Sequence, residues 1–305
     1  MKFTARSENM VRVQVPATTA NFGPGFDCLG ASLGLYNYIE MGFSDKPEVY
    51  VKGEGAGEIP EDETNLVYQA ACQVLKRANI DRPLKIVLEN NIPMARGLGS
   101  SAACIAGGLM AANHLVGEVL DNSELVQIGT EMEGHPDNVV PAMFGGFCLS
   151  MVHENKVIYK TFPVPYWLRF VVCIPDFKLK TEDARKVLPK TVKFEDAVFN
   201  TSHTAMLVAA MAQGDLTNMN VFCQDRLHQP YRSNLIPGME KVLQVVTEKG
   251  AFAGFLSGSG PAVICLTLKE RAEALGQHMV DIFAQEGIKS HYMVLSSDSK
   301  GVRFL

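Results

Sequence analysis

The sequence predicts an α+β protein built from two domains. Segments with the two-residue alternation of strands are mixed irregularly with helical patterns, unlike the strict strand-helix alternation of a doubly wound sheet. The chain has 305 residues, which exceeds one average domain. Two prolines next to an aromatic pair at 163–167 suggest a linker, so we divide the chain into residues 1–165 and 166–305.

The first half contains five strand patterns and three helical patterns. Strands are predicted at 10–15, 36–43, 49–52, 84–88 and 147–152. Helices are predicted from 64, from 97 to 116 and from 121. The first strand is expected to end at Pro16, and Thr64 suits the N-cap of the first helix. Asp121 and Glu124 have the three-residue spacing of a capping box.

The second half continues the same irregular mixture. Strands are predicted at 168–175, at both ends of 256–268 and at 292–295. Helices are predicted at 196–213, 238–249 and 269–286. The sequence contains no internal repeat, coiled coil or low-complexity segment.

Composition and charge argue against several classes of function. The net charge of -5, from 28 basic and 33 acidic residues, gives no excess of positive charge for nucleic acid. Residues 1–10 lack the apolar core of a secretion signal, and no run of about eighteen apolar residues predicts a membrane span. The seven cysteines are scattered and never spaced as CxxC, which argues against disulfides or a zinc site and favours a reducing cytoplasm.

The most informative segment is PMARGLGSSAA at 93–103, which joins a predicted strand to a predicted helix. Its glycines let the backbone approach an anion, and the helix start supplies free N–H groups and a positive dipole end. A Rossmann site would need an acidic residue after a second strand, whereas Asp121 and Glu124 begin a helix. The Walker pattern GxxxxGK[ST] does not occur. We therefore interpret the segment as a phosphate loop; a tight turn capping a buried helix would explain its glycines alone.

Three motifs, in the same order along the chain, resemble the signatures of the galactokinase, homoserine kinase, mevalonate kinase and phosphomevalonate kinase superfamily. They are PATTANFGPGFDCLG from 16, PMARGLGSSAA from 93 and SGSGPAVICL from 257. The resemblance implies a two-domain small-molecule kinase with an N-terminal ribosomal-protein-S5-like domain and a C-terminal ferredoxin-like domain. It also implies ATP and Mg²⁺ as cofactors.

The resemblance assigns the phosphate loop to ATP. The nucleotide-binding candidates are Pro93, Arg96, Gly97, Leu98, Gly99, Ser100, Ser101, Ala102, Ala103 and, outside the loop, Asn65. Mg²⁺ is usually held by one or two carboxylates together with phosphates and waters, so Glu133 and Ser101 are the candidate metal ligands. These two and Asn138 are the candidate catalytic residues. Glu133 as a surface carboxylate at a helix end and Asn65 as an ordinary helix-start residue are the competing interpretations.

The residues expected to recognise the acceptor carry opposite charges. Asp27, in a rigid loop, suits an ammonium group, and Arg185 with Arg232 suits a carboxylate, so together they describe an amino acid zwitterion. Asp27 in an Asx-type turn, and either arginine at the surface, are the alternatives. The segments resemble the homoserine kinase branch of the superfamily, which implies L-homoserine as substrate. Its pattern places substrate contacts at Asn21, Asp27, Thr181, Arg185, Arg232 and Asn138.

The implied reaction is phosphoryl transfer from ATP to the side-chain hydroxyl of homoserine, an alcohol-group phosphotransferase step in threonine biosynthesis. Some relatives in the superfamily use an aspartate at the acceptor, whereas the matching residue here is Asn138, which cannot take a proton at neutral pH. Asp137 is the adjacent carboxylate, and we interpret His135 as a structural turn residue. A mevalonate-type kinase and a non-catalytic ATP or amino acid sensor stay open, as does a homodimer.

Overall fold

The computed structural model describes residues 10–305, and two β-sheets with helices packed against them organise this part of the chain. The α+β prediction is confirmed. The prediction that the chain starts without a secretion signal falls mainly on residues 1–9, which lie outside the described residues. From residue 10 onward, no helix combines the length and the apolar character needed to cross a bilayer.

The secondary structure is as follows in chain order. The strands are β1 (Val11–Ala20), β2 (Leu29–Phe43), β3 (Glu48–Gly53), β4 (Leu84–Asn90), β5 (Phe147–His153), β6 (Lys156–Phe162), β7 (Leu168–Pro175), β8 (Ala253–Leu256), β9 (Val263–Leu268), β10 (Ser290–Leu295) and β11 (Arg303–Phe304). The helices are α1 (Leu66–Arg77), α2 (Ser100–Leu115), α3 (Asn122–Glu133), α4 (Pro136–Phe144), α5 (Thr181–Lys186), α6 (Phe194–Gln213), α7 (Met219–Phe222), α8 (Gln229–Arg232), α9 (Met239–Glu248) and α10 (Lys269–Gln285).

The first sheet has the strand order β11-β1-β2-β4-β3, and β5 pairs with the start of β2 and with β6. The β3–β4 pair is parallel and the other pairs are antiparallel. Helix α2 packs against β1 and lies between α1, α3 and α4. Most buried positions of α2 are alanine or glycine, which lets its neighbours approach closely.

The second sheet has the antiparallel strand order β10-β7-β9-β8. With α9 before β8 and α10 before β10, this is the order of a ferredoxin-like β-α-β-β-α-β unit. Helices α5 to α8 are inserted between β7 and α9. This insertion carries Thr181, Arg185 and Arg232, so the predicted substrate residues of the second half lie outside the regular unit.

Two strands of the first sheet extend further than predicted. Strand β1 continues through Pro16 to Ala20, with a register irregularity directly after the proline. The prediction that it ends at Pro16 is wrong because β11 pairs with β1 only at Val13 and Gln14. At Pro16 the strand has one neighbour, so a residue without an N–H group is tolerated at the irregularity. Strand β2 begins at Leu29, well before the predicted start at 36.

Helix α1 begins one residue later than predicted. Its N-cap is Asn65, whose side-chain oxygen accepts a hydrogen bond from Val67 N at 2.9 Å. The predicted N-cap, Thr64, instead donates its hydroxyl hydrogen to Asp62 at 2.5 Å. The assignment of Thr64 is therefore wrong, because the carboxylate two residues earlier is its hydrogen-bond partner.

Helices α3 and α4 meet at a tight corner that holds several polar residues. The capping box that starts α3 is confirmed, since Asp121 and Glu124 exchange hydrogen bonds of 2.9 Å. Glu133 ends α3, Gly134 caps it in the left-handed conformation, and Pro136 opens α4. The corner therefore brings the end of α3 and the first turn of α4 together.

The two sheets share one hydrophobic core at the loop after β1. Phe22 of this loop is fully buried, stacks on Phe255 of β8 at 4.7 Å and meets Phe147 of β5 edge-on at 5.1 Å. A second cluster of buried side chains lies between the second sheet, α9 and α10. The chain passes from the first sheet to the second between 162 and 168, and β11 returns to the first. The division at residue 165 stays a prediction.

Candidate active site

The loop at 93–99 adopts a strained backbone before it enters α2. Ala95, Gly97 and Gly99 have positive φ angles of 51°, 77° and 66°. Gly99 is the N-cap of α2, and no side chain caps this helix start. The N–H groups of a first helical turn have no partners within the helix. The start of α2 is therefore suited to an anion.

Hydrogen bonds join this loop to the two flanking motifs. Thr18 N donates to Leu98 O at 3.1 Å, and the Ser257 hydroxyl donates to Gly97 O at 2.6 Å. A Cβ atom at Gly97 would lie 2.2 Å from the carbonyl oxygen of Ser257, so the close approach requires glycine. The three motifs, far apart in the sequence, thus meet at one place.

The two candidate metal ligands lie together beside the loop. The Ser101 hydroxyl donates to Glu133 Oε2 at 2.7 Å. Burial raises the pKa of Glu133, and the hydrogen bond from Ser101 partly opposes this shift. The first turn of α2 and the last residue of α3 therefore offer two oxygen ligands at the mouth of the phosphate loop.

The first turn of α4 presents an amide and a carboxylate that touch each other at 3.4 Å and are each held by a further residue. Asn138 Oδ1 accepts from the Thr18 hydroxyl at 2.8 Å, while Asp137 Oδ1 lies 2.5 Å from His135 Nδ1. Burial lowers the pKa of His135, but the hydrogen bond and charge of Asp137, with the charge of Asp27, outweigh it and raise the pKa. The interpretation of His135 as a turn residue thus omitted its pairing with Asp137.

Asp27 lies next to one of the two arginines. Arg185 Nη1 and Nη2 donate to the two carboxylate oxygens of Asp27 at 3.1 and 2.6 Å, and about a third of each side chain is exposed. Asn21 fixes the loop, since its Oδ1 accepts from Asp27 N at 3.1 Å and its Nδ2 donates to Gly258 O at 3.0 Å. The cation and the anion expected to bind a zwitterion are therefore paired with each other in this structure.

Arg232 is almost fully buried beside this pair. Its Nε donates to Ala184 O at 3.0 Å and its Nη1 to Gly258 O at 3.0 Å. Burial, with the charge of Arg185, lowers the pKa of Arg232 to about 10. The guanidinium groups of Arg185 and Arg232 lie 5.3 and 5.2 Å from the ring centre of Phe26. The two arginines converge on one aromatic side chain.

These groups line a single cavity of about 310 Å³. The predicted site residues in its lining are Asn21, Asp27, Pro93, Arg96, Gly97, Leu98, Gly99, Ser100, Ser101, Glu133, Asn138, Thr181, Arg185 and Arg232. Three predicted nucleotide contacts lie outside the lining: Ala102 and Ala103 are buried beneath the loop, and Asn65 caps α1. Their roles toward ATP stay predictions.

Several lining residues were missed by the sequence interpretation. Phe26 lies inside the loop motif and Lys180 directly precedes Thr181, so both were within segments already singled out. Ser259 lies in the third motif, and its hydroxyl is 3.2 Å from that of Thr181. The motifs gave the correct segments, but not which side chains within them face the cavity.

Family models match both halves of the chain. The model of the GHMP kinases N terminal domain matches residues 65–146, and that of the GHMP kinases C terminal matches residues 207–284. Homoserine kinase from Desulfitobacterium hafniense is 45% identical over 96% of this chain and 99% of its own. The chain belongs to the homoserine kinase family. The homoserine kinase from Moorella thermoacetica is 47% identical over 92% of this chain and 95% of its own.

Solved structures support the same assignment. The crystal structure of homoserine kinase from Cytophaga hutchinsonii has a TM-score of 0.89, 30% sequence identity and full coverage of both chains. Mevalonate diphosphate decarboxylase from Staphylococcus aureus has a TM-score of 0.70 at 15% identity, covering 97% of this chain and 98% of its own. The second likeness extends to the fold alone. The two-domain kinase fold expected from the three motifs is thus confirmed for this member of the homoserine kinase family.

Proposed function

We propose that this protein is a homoserine kinase, which transfers the γ-phosphoryl group of ATP to the side-chain hydroxyl of L-homoserine and yields O-phospho-L-homoserine. Relatives that carry this name cover almost the whole chain. The observation that carries the proposal is the cavity itself, in which a phosphate loop faces a carboxylate and two arginines. The cavity therefore offers partners for a phosphate donor and for an amino acid acceptor next to each other.

The phosphate loop fits the triphosphate of ATP. The uncapped start of α2 supplies N–H groups, and Arg96 in the cavity lining keeps a buried Nη1 without a hydrogen-bond partner among residues 10–305. An unpaired buried donor on a cation is costly, and an anion in the cavity would satisfy it. The loop thus favours a multiply charged anion over a neutral ligand.

The Ser101–Glu133 pair fits Mg²⁺, because both side chains offer hard oxygen ligands and lie 2.7 Å apart beside the loop. When bound there, the ion would neutralise charge on the phosphates during transfer. Glu133 would have to be ionised for this, and the positive charge of the ion would offset the effect of burial on its pKa.

Homoserine would bind as a zwitterion by separating Asp27 from Arg185. Its ammonium group would take the place of the guanidinium at Asp27, and its carboxylate would face Arg185 and Arg232. A partly exposed ion pair contributes only about 0–1 kcal/mol, so replacing it costs little. In the unliganded protein Asp27 and Arg185 neutralise each other. When homoserine binds, its ammonium group replaces Arg185 as the partner of Asp27, and its carboxylate replaces Asp27 as the partner of Arg185.

Phosphoryl transfer depends mainly on positioning and on neutralising charge, because its transition state is loose. We assign to Asn138 the orientation of the acceptor hydroxyl. Thr18 fixes its side chain through the hydrogen bond to Oδ1, and Nδ2, which donates weakly to Asp137 Oδ1 at 3.4 Å, keeps a second hydrogen for the acceptor oxygen. Asp137 is engaged by His135 and is not required as a base in this scheme.

A coupled assay that compares homoserine, mevalonate and galactose as acceptors, with ATP consumption as readout, tests the proposal. We expect that homoserine is the only one of the three acceptors to be phosphorylated. Turnover with mevalonate instead would identify a different kinase of the same fold, and homoserine or ATP binding without turnover at saturating Mg²⁺ would identify a sensor. Either result would contradict the proposed activity.

We further propose that the enzyme works in the cytoplasm, in threonine biosynthesis. All seven cysteines are unpaired, and burial raises the pKa of several of them, such as Cys104, to about 12. Free cysteines without disulfides are typical of proteins that work in a reducing compartment. Radiolabelled homoserine appearing in threonine only when this chain is expressed would support the pathway assignment, and unlabelled threonine would contradict it.

A further inference from the structure

His228 connects the two halves of the proposed homoserine site. It is fully buried, and both ring nitrogens have partners: Nε2 lies 2.7 Å from Gly23 O, and Nδ1 lies 3.2 Å from Arg232 Nη1. Gly23 belongs to the loop that carries Asn21 and Asp27. The imidazole therefore bridges the anionic loop and the buried arginine.

The partners of His228 fix its protonation state. A carbonyl oxygen can only accept a hydrogen bond, so Nε2 must carry the hydrogen toward Gly23. A guanidinium can only donate, so Nδ1 must present its lone pair to Arg232. The neutral Nε2–H tautomer is the one form that satisfies both. A protonated ring would set an N–H group against an N–H group of Arg232.

The surroundings of His228 maintain this arrangement. The buried carboxylate of Asp225 accepts from the backbone N–H groups of Leu227, His228 and Gln229, which holds the turn before α8. Its Oδ2 also lies 3.5 Å from His228 Nε2. The ring centre of His228 is 5.1 Å from that of Phe26, the side chain on which both arginines converge. Asp225 thus holds the backbone and the ring of His228. The histidine does not line the cavity itself, but its neighbours Phe26 and Arg232 do.

The number of donors on Arg232 explains why its orientation matters. Within residues 10–305, hydrogen bonds occupy its Nε and Nη1, and none is made by Nη2, although the residue lines the cavity. The contacts to Ala184 O, Gly258 O and His228 Nδ1 together fix the guanidinium plane. Nη2 then remains as the donor available to a ligand.

We propose that neutral His228 is a positioning residue for homoserine, which acts by orienting Arg232 through Nδ1 and the Asp27 loop through Nε2. The inference rests on the proposed function. His228 is fully buried and does not line the cavity, so its replacement should weaken homoserine binding and leave the chemical step intact.

Two amide variants test separately the contact of His228 with Arg232 and its contact with Gly23 O. In His228→Asn the side-chain oxygen can occupy the position of Nδ1 and keep the acceptor for Arg232. In His228→Gln the side-chain nitrogen can occupy the position of Nε2 and keep the donor to Gly23 O. We expect His228→Gln to raise the KM for homoserine about tenfold, as for loss of one hydrogen bond to a charged group, with kcat and the KM for ATP within about twofold of wild type. His228→Asn should raise this KM less.

The control is His291→Asn, an exposed histidine on β10, which should match wild type. Melting temperatures and calorimetric binding of homoserine are measured for every variant, so a general loss of folding is recognised. An increase that follows melting temperature alone, or no increase in either variant, would overturn the inference. Wild type that binds no homoserine would instead contradict the proposed function, which keeps the two failures distinct.

Discussion

Asn138 and Asp137 are neighbours in sequence and touch through Asn138 Nδ2 and Asp137 Oδ1 at 3.4 Å, but each has its own stronger partner. Asn138 is held by the hydroxyl of Thr18 from β1, and Asp137 is held by His135. We expect Asn138→Ala to lower kcat on the order of a hundredfold, which is typical for loss of one positioned polar group in an active site. Asp137→Ala should lower it less. Steady-state kinetics with saturating homoserine and ATP give the ranking, and the reverse order would contradict the scheme in which no base is required.

Arg185 and Arg232 differ in which groups would lose a hydrogen-bond partner if the arginine were removed. Arg185 is partly exposed and pairs with Asp27, whereas Arg232 is buried and satisfies the carbonyl groups of Ala184 and Gly258. Both alanine variants should raise the KM for homoserine, and Arg232→Ala should do so more, with a loss of about 2–5 kcal/mol because buried partners are left unpaired.

Exposed Arg271 on α10 provides the matched control for these two variants, since among residues 10–305 its side chain donates to Gly250 O alone, at the surface. Arg271→Ala should keep the wild-type KM. If the KM for homoserine is unchanged in both Arg185→Ala and Arg232→Ala, the carboxylate of the substrate binds elsewhere.

The buried state of His228 predicts how stability depends on pH. Burial lowers its pKa; the charge of Arg232 acts in the same direction, and the charges of Asp225 and Asp27 oppose it. A histidine with a lowered pKa in the folded state takes up its proton more readily when unfolded, so stability is retained above the ordinary pKa of 6.5 and falls as pH drops below it.

We therefore expect the melting temperature of wild type to decrease more steeply between roughly pH 6.5 and 5 than that of His228→Asn, which has no group to protonate there. Thermal unfolding monitored by circular dichroism across this range gives both slopes. Parallel slopes would mean that His228 takes up its proton as readily in the folded protein as in the unfolded chain.

At this scale the sequence predicted the residue types of the site better than their pairing. Asp27 and Arg185 were singled out as separate anchors, yet they bind each other across 158 positions of sequence. His228 gave no signal, because a lone histidine before a short helix has no periodicity or motif of its own. Contacts of this kind depend on tertiary packing, which spacing along the chain does not encode.

The phosphate loop and the third motif form one unit at the scale of secondary structure elements. Gly97 approaches the carbonyl of Ser257 so closely that a Cβ would lie 2.2 Å from it. Gly57 has nearly the same φ angle, 80° against 77°, but no atom of the described part of the chain lies within 4 Å of its Cβ position. An alanine at either position would have the same unfavourable φ angle, but only at position 97 would its Cβ also clash with a neighbour.

Gly57→Ala should cost only the left-handed strain, about 1–2 kcal/mol. Gly97→Ala should cost more and should also raise the KM for ATP, because the loop must move away from the turn at 257. Urea unfolding and ATP kinetics of the two variants provide the comparison. Equal stabilities together with an unchanged KM for ATP would show that the loop tolerates the displacement.

Strand predictions were wrong where the pairing with neighbouring strands, and not the strand's own residues, decides its length. The proline at 16 was taken as an end, but β1 passes it because the strand is paired on one side only there. The β6 strand was not predicted, although it pairs along its whole length with β5. Strongly periodic segments such as α9 and α10 were predicted to within one residue at each end.

At the scale of the whole molecule, the site lies where the two sheets share their core. The loop that carries Asp27 also places Phe22 between β5 and β8, so this loop is anchored in packing that belongs to both halves. The sequence predicted two halves from length and from prolines, but nothing in it indicated that Phe22 joins them. The site geometry and the stability of the fold are therefore linked through one buried ring.

This shared core predicts that the protein unfolds in a single transition. The one tryptophan, Trp167, lies between β6 and β7 and packs against Phe252, so its fluorescence reports the junction, while far-UV circular dichroism reports both sheets. We expect the two signals to coincide in urea.

Phe22→Ala should lower the free energy of unfolding by about 3–5 kcal/mol and keep the two signals coincident. Phe283→Ala, which removes an equally buried ring from the cluster beside the second sheet, serves as the matched control and should shift both signals by a similar amount. Separate transitions for the two signals in wild type would mean that the halves fold independently and that the ring of Phe22 does not couple them.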